Sequence, residues 1–148
     1  MRVKYATLQQ WFLPGLLLLL LTACSTAVDE EKRLRQAMEQ LVLALEQRDQ
    51  TAVIKKLASD VRAQRGMRLA GLNRLMQLYF RQNTSIRIFV SGVHIKMMSR
   101  SADVSAKVLL TGSGGFLPER GRRYEVQMRW QKQNSEWKLA RVKWKARA

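Results

Sequence analysis

One cysteine, one histidine and two prolines are found among 148 residues, and 11 acidic side chains face 27 basic ones. Each shortage excludes something. A lone cysteine cannot close a disulfide within the chain. With His94 as the sole imidazole and Cys24 as the sole thiol, no zinc-type cluster of three or four such ligands can form, and a Ser-His-Asp or Cys-His triad has too few parts. No internal repeat, low-complexity tract or Pro/Gly-rich linker interrupts the chain. The longest apolar run, Trp11 to Leu21, falls short of the roughly 20 residues that a membrane-crossing helix requires.

That run follows Arg2 and Lys4 and ends in Leu21-Thr22-Ala23-Cys24. A basic start, a short apolar stretch holding six consecutive leucines from Leu16, and small residues before a cysteine make a secretory signal. The Leu-Thr-Ala-Cys end resembles a bacterial lipobox. The resemblance implies removal of residues 1–23 and attachment of lipid to the thiol of Cys24. It also implies a tether over residues 24–28, and Ser25 is similar to the residues that direct lipoproteins to the outer membrane, on its periplasmic side. Two or three acyl chains anchor durably where one holds only marginally, at about 0.8 kcal/mol per buried CH₂.

What remains, residues 24–148, suits one domain with a real core. The whole chain carries +16, and removal of a leader holding Arg2 and Lys4 leaves +14. Such a bias in a cytosolic protein points to nucleic acid. In an exported protein it points instead to anionic lipid, lipopolysaccharide phosphate and peptidoglycan carboxylates, or to an envelope protein, and no nucleic-acid partner is expected.

Along the domain, expected to span residues 29–148, Asp29-Glu30-Glu31 reads as an acidic first helical turn. Leu34, Met38, Leu41, Val42 and Leu45 then recur with a helical period up to Arg48. Asp49 or Thr51 can cap a short second helix with Val53, Ile54 and Leu57 inward. After a charged break over residues 62–66, a third helix is expected from Met67 to Gln82, with Leu72, Leu75, Met76, Tyr79 and Phe80 inward and Arg68, Arg74 and Arg81 outward. Gly71 within it suggests a close approach to a sheet.

From Ser85 the period becomes two. Ile86, Ile88 and Val90 share one parity and Val93, Ile95 and Met97 the other, which places a β-bulge at Ser91-Gly92. Residues 103–111 and 123–131 alternate in the same way, the second with Tyr124, Val126, Met128 and Trp130 inward. In residues 136–145 the phase shifts near Ala140, a second bulge. The expectation is an α+β domain: N-terminal helices packed on a curved, bulged antiparallel sheet of about four strands.

This order of elements resembles the nuclear transport factor 2-like, cystatin-like cone superfamily. The resemblance is carried by Ala44-Leu45-Glu46-Gln47-Arg48-Asp49 leading to Leu57-Ala58-Ser59-Asp60, by the helix Leu72 to Phe80, and by the closing Glu136-Trp137-Lys138-Leu139. The stretch Leu110 to Gly121 is similar to one in uncharacterised proteobacterial lipoproteins. Enzymes of the superfamily resemble ketosteroid isomerase or scytalone dehydratase, in which a carboxylate or histidine and a tyrosine line the conical pocket. The resemblance also implies dimerisation through the outer face of the sheet, as superfamily members often do.

Two groups of side chains are candidates for function. The stretch Thr111 to Arg123 is longer than a hairpin needs, and its Ser113, Glu119, Arg120, Arg122 and Arg123 would form a polar lip at the mouth of the cone. Gly114 and Gly115 there would let backbone amides approach an anion. Tyr79 and Tyr124 would add hydroxyls to an otherwise apolar interior, while Asp60 stands where the second helix exits. His94 has the outward parity. The reading is a lipid-anchored binding or scaffolding domain, with neither cofactor, metal nor catalysis expected; the alternatives are an isomerase- or dehydratase-like pocket enzyme and a dimeric component of an envelope assembly.

Overall fold

The computed structural model describes the backbone of residues 13–113 and 120–148 and the side chains of residues 26–113 and 121–148. Arg2, Lys4, Gly114, Gly115 and Glu119, and the side chains of Cys24, Ser25 and Arg120, lie outside the described residues. The chain divides into two compact units, Met1–Leu34 and Arg35–Ala148.

In the first unit the described residues belong to α1 (Leu13–Glu46), whose last twelve residues belong to the second. The helix does not begin at Asp29 as expected, and Asp29-Glu30-Glu31 is not its first turn. Nothing between Leu16 and Val28 breaks a helix, because leucine and alanine are strong helix formers, and the one proline of α1, Pro14, falls in the first turn, where its missing N–H costs nothing. Arg33 Nη1 pairs with Glu30 Oε1 one turn back, at 3.4 Å. No helix among the described residues is long and apolar enough to cross a membrane.

The second unit is an α+β cone: helices followed by a curved, five-stranded mixed sheet. After α1 come α2 (Gln50–Lys56), β1 (Leu57–Arg62), a 3-10 turn at Gln64–Gly66, and α3 (Leu69–Gln82). The strands β2 (Ser85–Met97), β3 (Ser101–Ser113), β4 (Arg120–Gln133) and β5 (Glu136–Arg147) follow, in the sheet order β1-β5-β4-β3-β2. Asp49 caps α2, its Oδ1 accepting from the Ala52 N–H at 2.9 Å. The sheet has one strand more than expected. Leu57 ends α2 and opens β1, which runs parallel to β5 and buries Ala58 and Val61. Six residues are too few for an alternation to stand out beside a helix. Asp60, expected where the second helix exits, is exposed on this edge strand.

Both bulges are present. The β2–β3 register shifts between Ser91 and His94, with Gly92 at φ 57°, a left-handed conformation that glycine adopts without strain. On β5, Arg129 pairs with Arg141 but Trp130 with Leu139, leaving Ala140 as the extra residue. Gly71 does not touch the sheet: a Cβ there would meet the Met67 side chain at 2.6 Å, so the third helix folds its own N-terminal flank over it. Leu75 is exposed rather than inward.

Burial is graded along the inner face. At one end Trp130 is 0% exposed and sits beside Ala102 and Leu139, both buried. Toward the other end Val108, Leu110, Tyr124 and Val126 are only half-buried, so the inner face is sealed around Trp130 and partly exposed to solvent where β3 and β4 approach Gly112. Side-chain acceptors finish the sheet where backbone partners run out: Gln64 Oε1 accepts from the Trp144 N–H at 3.1 Å, and Glu46 Oε1 from the Ile88 N–H at 2.8 Å.

Candidate functional site at the cone mouth

The ladder between β3 and β4 extends to Gly112 paired with Arg120, so most of the expected polar lip is strand rather than loop. Alternation then separates its members. Arg122 pairs with Leu110 and Tyr124 with Val108, both on the inner face. Arg123 lies in the row of Leu109 and Arg147, on the opposite face, and so leaves the mouth. Ser113 contributes its carbonyl, which accepts from the Thr84 N–H at 2.8 Å and from Thr84 Oγ1 at 3.0 Å, tying the α3–β2 junction to the end of β3.

Tyr79 and Tyr124 do come together. α3 delivers Tyr79 in its last turn, and Asn83 follows as the C-cap, donating through Nδ2 to the Tyr79 carbonyl at 2.9 Å. Gly112 makes the close approach feasible. A Cβ there would stand 2.3 Å from Asn83 Oδ1 and 3.1 Å from the Tyr79 hydroxyl. Burial pushes the Tyr79 hydroxyl above its ordinary pKa, the neighbouring Tyr124 adds to that, and the Arg122 guanidinium opposes it. The mouth therefore gathers two phenols, an amide and a guanidinium at the open end of an apolar wall; no carboxylate or imidazole is among these described side chains. A guanidinium and phenolic O–H groups donate to anionic or carbonyl oxygen, and Tyr79 stays protonated at neutral pH to do so. Sequence reasoning missed Asn83 and Gly112. A glycine within a strand does signal that another group comes close, and that signal was available at Gly112.

The opposite face of the sheet is different in kind. Asp103 accepts a two-pronged bond from Arg129, at 2.7 and 2.9 Å, which holds its carboxyl below the usual range. Glu125 accepts from Arg147. Two open grooves of about 530 and 540 Å³ lie on this face, one lined by Phe89, Lys107, Arg123 and Arg147, the other by Lys96, Arg129, Arg141 and Lys143. His94, on the wall of the second, is exposed as its parity requires. No group of three or more potential metal ligands occurs among the described residues.

No protein-family model matches the sequence, and no curated protein matches it. Solved structures match the fold. A candidate scytalone dehydratase from Novosphingobium aromaticivorans superposes with a TM-score of 0.78 at 14% identity, covering 84% of this chain and 89% of that one. The hexachlorocyclohexane dehydrochlorinase LinA-type3 from Novosphingobium barchaimii gives 0.71 at 8% identity, over 82% and 89%. A protein from Novosphingobium aromaticivorans described as nuclear transport factor 2-like with a cystatin-like fold gives 0.69 at 10%, over 84% and 86%. The fold is thus the nuclear transport factor 2-like, cystatin-like cone.

Proposed function

We propose that residues 24–148 are a lipid-anchored module on the periplasmic side of the outer membrane, held there through Cys24 once residues 1–23 are removed, and that its cone binds an amphiphile with an anionic or oxygen-rich head. The observation that carries the binding is the Tyr79–Asn83–Arg122–Tyr124 cluster at the open end of an inner face that is otherwise apolar. An alkyl portion suits half-buried Val108, Leu110 and Val126, while Arg122 and Tyr79 donate to the head. The described mouth side chains, two phenols, an amide and a guanidinium, suit holding such a head by hydrogen bonds.

Titration calorimetry with a long-chain alkyl phosphate and the matching alcohol tests this. The phosphate should bind more tightly than the alcohol, and Arg122→Ala should weaken it at least about tenfold, equivalent to about 1.4 kcal/mol. Equal affinity for both ligands, unchanged by Arg122→Ala, would sink the reading.

A second reading keeps the same side-chain cluster but makes the domain an enzyme of dehydratase or isomerase type. The names of two structural neighbours, a scytalone dehydratase candidate and a dehydrochlorinase, favour it, and protonated Tyr79 is then the general acid. Recovery of a chemically altered ligand from incubation with the protein, abolished by Tyr79→Phe, would replace the first reading with this one.

A further inference from the structure

The outer face of the sheet is an alternating cationic surface. On β5 every second residue from Arg141 is basic: Arg141, Lys143, Lys145 and Arg147, all exposed. Register carries the pattern across the sheet. Arg147 lies beside Arg123, Lys145 is two strands from Lys107 with Glu125 between them, and Arg141 lies beside Arg129. Same-face residues along a strand recur about every 7 Å and strands lie about 5 Å apart, within a Debye length of about 8 Å at physiological salt. The charges therefore act together. Carboxylates within the array are already engaged, Asp103 by Arg129 and Glu125 by Arg147, and Glu136 at the start of β5 pairs with Lys138.

The inner-face partners of these cations, Val142 and Trp144, are half-buried, so the alternation is that of a sheet with one face on the core and the other left in water. In the row of Arg123, on the far side of Leu109, Phe89 is 60% exposed, an apolar side chain at the edge of the charged field.

We infer that this face lies against an anionic bilayer surface. A broad sheet face with regularly spaced cations matches a plane of lipid phosphates, and exposed Phe89 at its edge suits the boundary between headgroups and acyl chains. A second copy of the chain is a poor occupant, because it would bring the same charge to the contact. Arg68, Arg74 and Arg81, expected to point outward, are also exposed, but α3 and its N-cap supply no comparable two-dimensional array. The inference rests on the lipid tether proposed above for bringing the domain to a bilayer, though the face itself is independent of it.

Lysine footprinting on the full chain, purified from bacterial membranes and mixed with vesicles, separates the two. Vesicles are neutral phosphatidylcholine, or the same with phosphatidylglycerol as the only anionic lipid; an amine-reactive ester labels accessible lysines, read by mass spectrometry. Labelling of Lys107, Lys143 and Lys145 should fall several-fold on anionic relative to neutral vesicles and recover in 1 M salt, where the Debye length shrinks to about 3 Å. Lys55, exposed on α2, should not change. Lys143→Glu with Lys145→Glu should abolish the protection of Lys107, whereas Arg74→Glu with Arg81→Glu should leave it. Flotation with both vesicle types but no lysine protection, or equal protection of Lys55, overturns the face and keeps the tether. Flotation with anionic vesicles alone, with the outer-face lysines protected, keeps the face and overturns the tether, and flotation with neither overturns both.

Discussion

The backbone N–H of Ile88 donates to Glu46 Oε1 at 2.8 Å, so the last residue of α1 closes a hydrogen-bonding position on β2, the free edge of the sheet. An edge strand with open N–H groups is a template for pairing with another chain. Glu46→Ala should cost about 1–3 kcal/mol, the usual penalty for a part-buried donor left alone, and should raise aggregation on mild heating. Glu46→Gln keeps an acceptor and should lie near the parent. Identical denaturant midpoints for all three proteins would show that the bond is incidental.

Gly112 is expected to tolerate no side chain. Its Cβ would stand 2.3 Å from Asn83 Oδ1, and Asn83 is pinned by its own bond to the Tyr79 carbonyl. Gly112→Ala should lose about 1–3 kcal/mol through overpacking, and Asn83→Ala in the same chain should recover part of it. Additive losses in the double variant, measured by denaturant melts, would rule out the contact.

Much of this was legible in the sequence, for identifiable reasons. The bulges at Ser91-Gly92 and Ala140 were legible because a one-residue slip inverts the parity of every apolar side chain after it. β1 was not, because its two buried positions, Ala58 and Val61, lie three apart, a spacing that continues the helical period and breaks the alternation of a strand. Residues 111–123 carry the signature of a loop, since their glycines and arginines show no apolar alternation, yet the ladder continues through them to Gly112 and Arg120. That extension decides which of the arginines face the cone: Arg122 does and Arg123 does not. Tyr79 is legible from the apolar stripe of its helix and Tyr124 from its inward strand parity, whereas Asn83 reaches the site by capping α3, a role that periodicity does not reveal.

Trp130 closes the cone from behind. Fully buried and flanked by Ala102 and Leu139, it should cost about 3–5 kcal/mol as Trp130→Ala, as large aromatic deletions do. Its indole N–H has no acceptor among the described residues, so Trp130→Phe should be much milder, giving up volume without breaking a hydrogen bond. A loss below about 0.5 kcal/mol for the alanine variant would contradict the burial, given that range.

Tyr79 should ionise late in an alkaline titration followed by tyrosinate absorbance. Because its pKa is raised in the folded state, its contribution to stability is present below the ordinary tyrosine value of about 10 and is lost as pH climbs through the folded value. Tyr79→Phe should remove the late phase. Arg122→Gln should move it later still, since the guanidinium is the group that favours the phenolate. A shift to lower pH in Arg122→Gln would show that the two side chains do not face each other.

The tether is tested most directly at Cys24, by metabolic labelling with a radioactive fatty acid in a bacterial host. The parent chain should take up label and run as the processed form beginning at Cys24, while Cys24→Ser should take up none and accumulate as the uncut 148-residue precursor. Equal labelling of the two chains, or cleavage of both at the same place without label, would contradict a lipid-anchored protein.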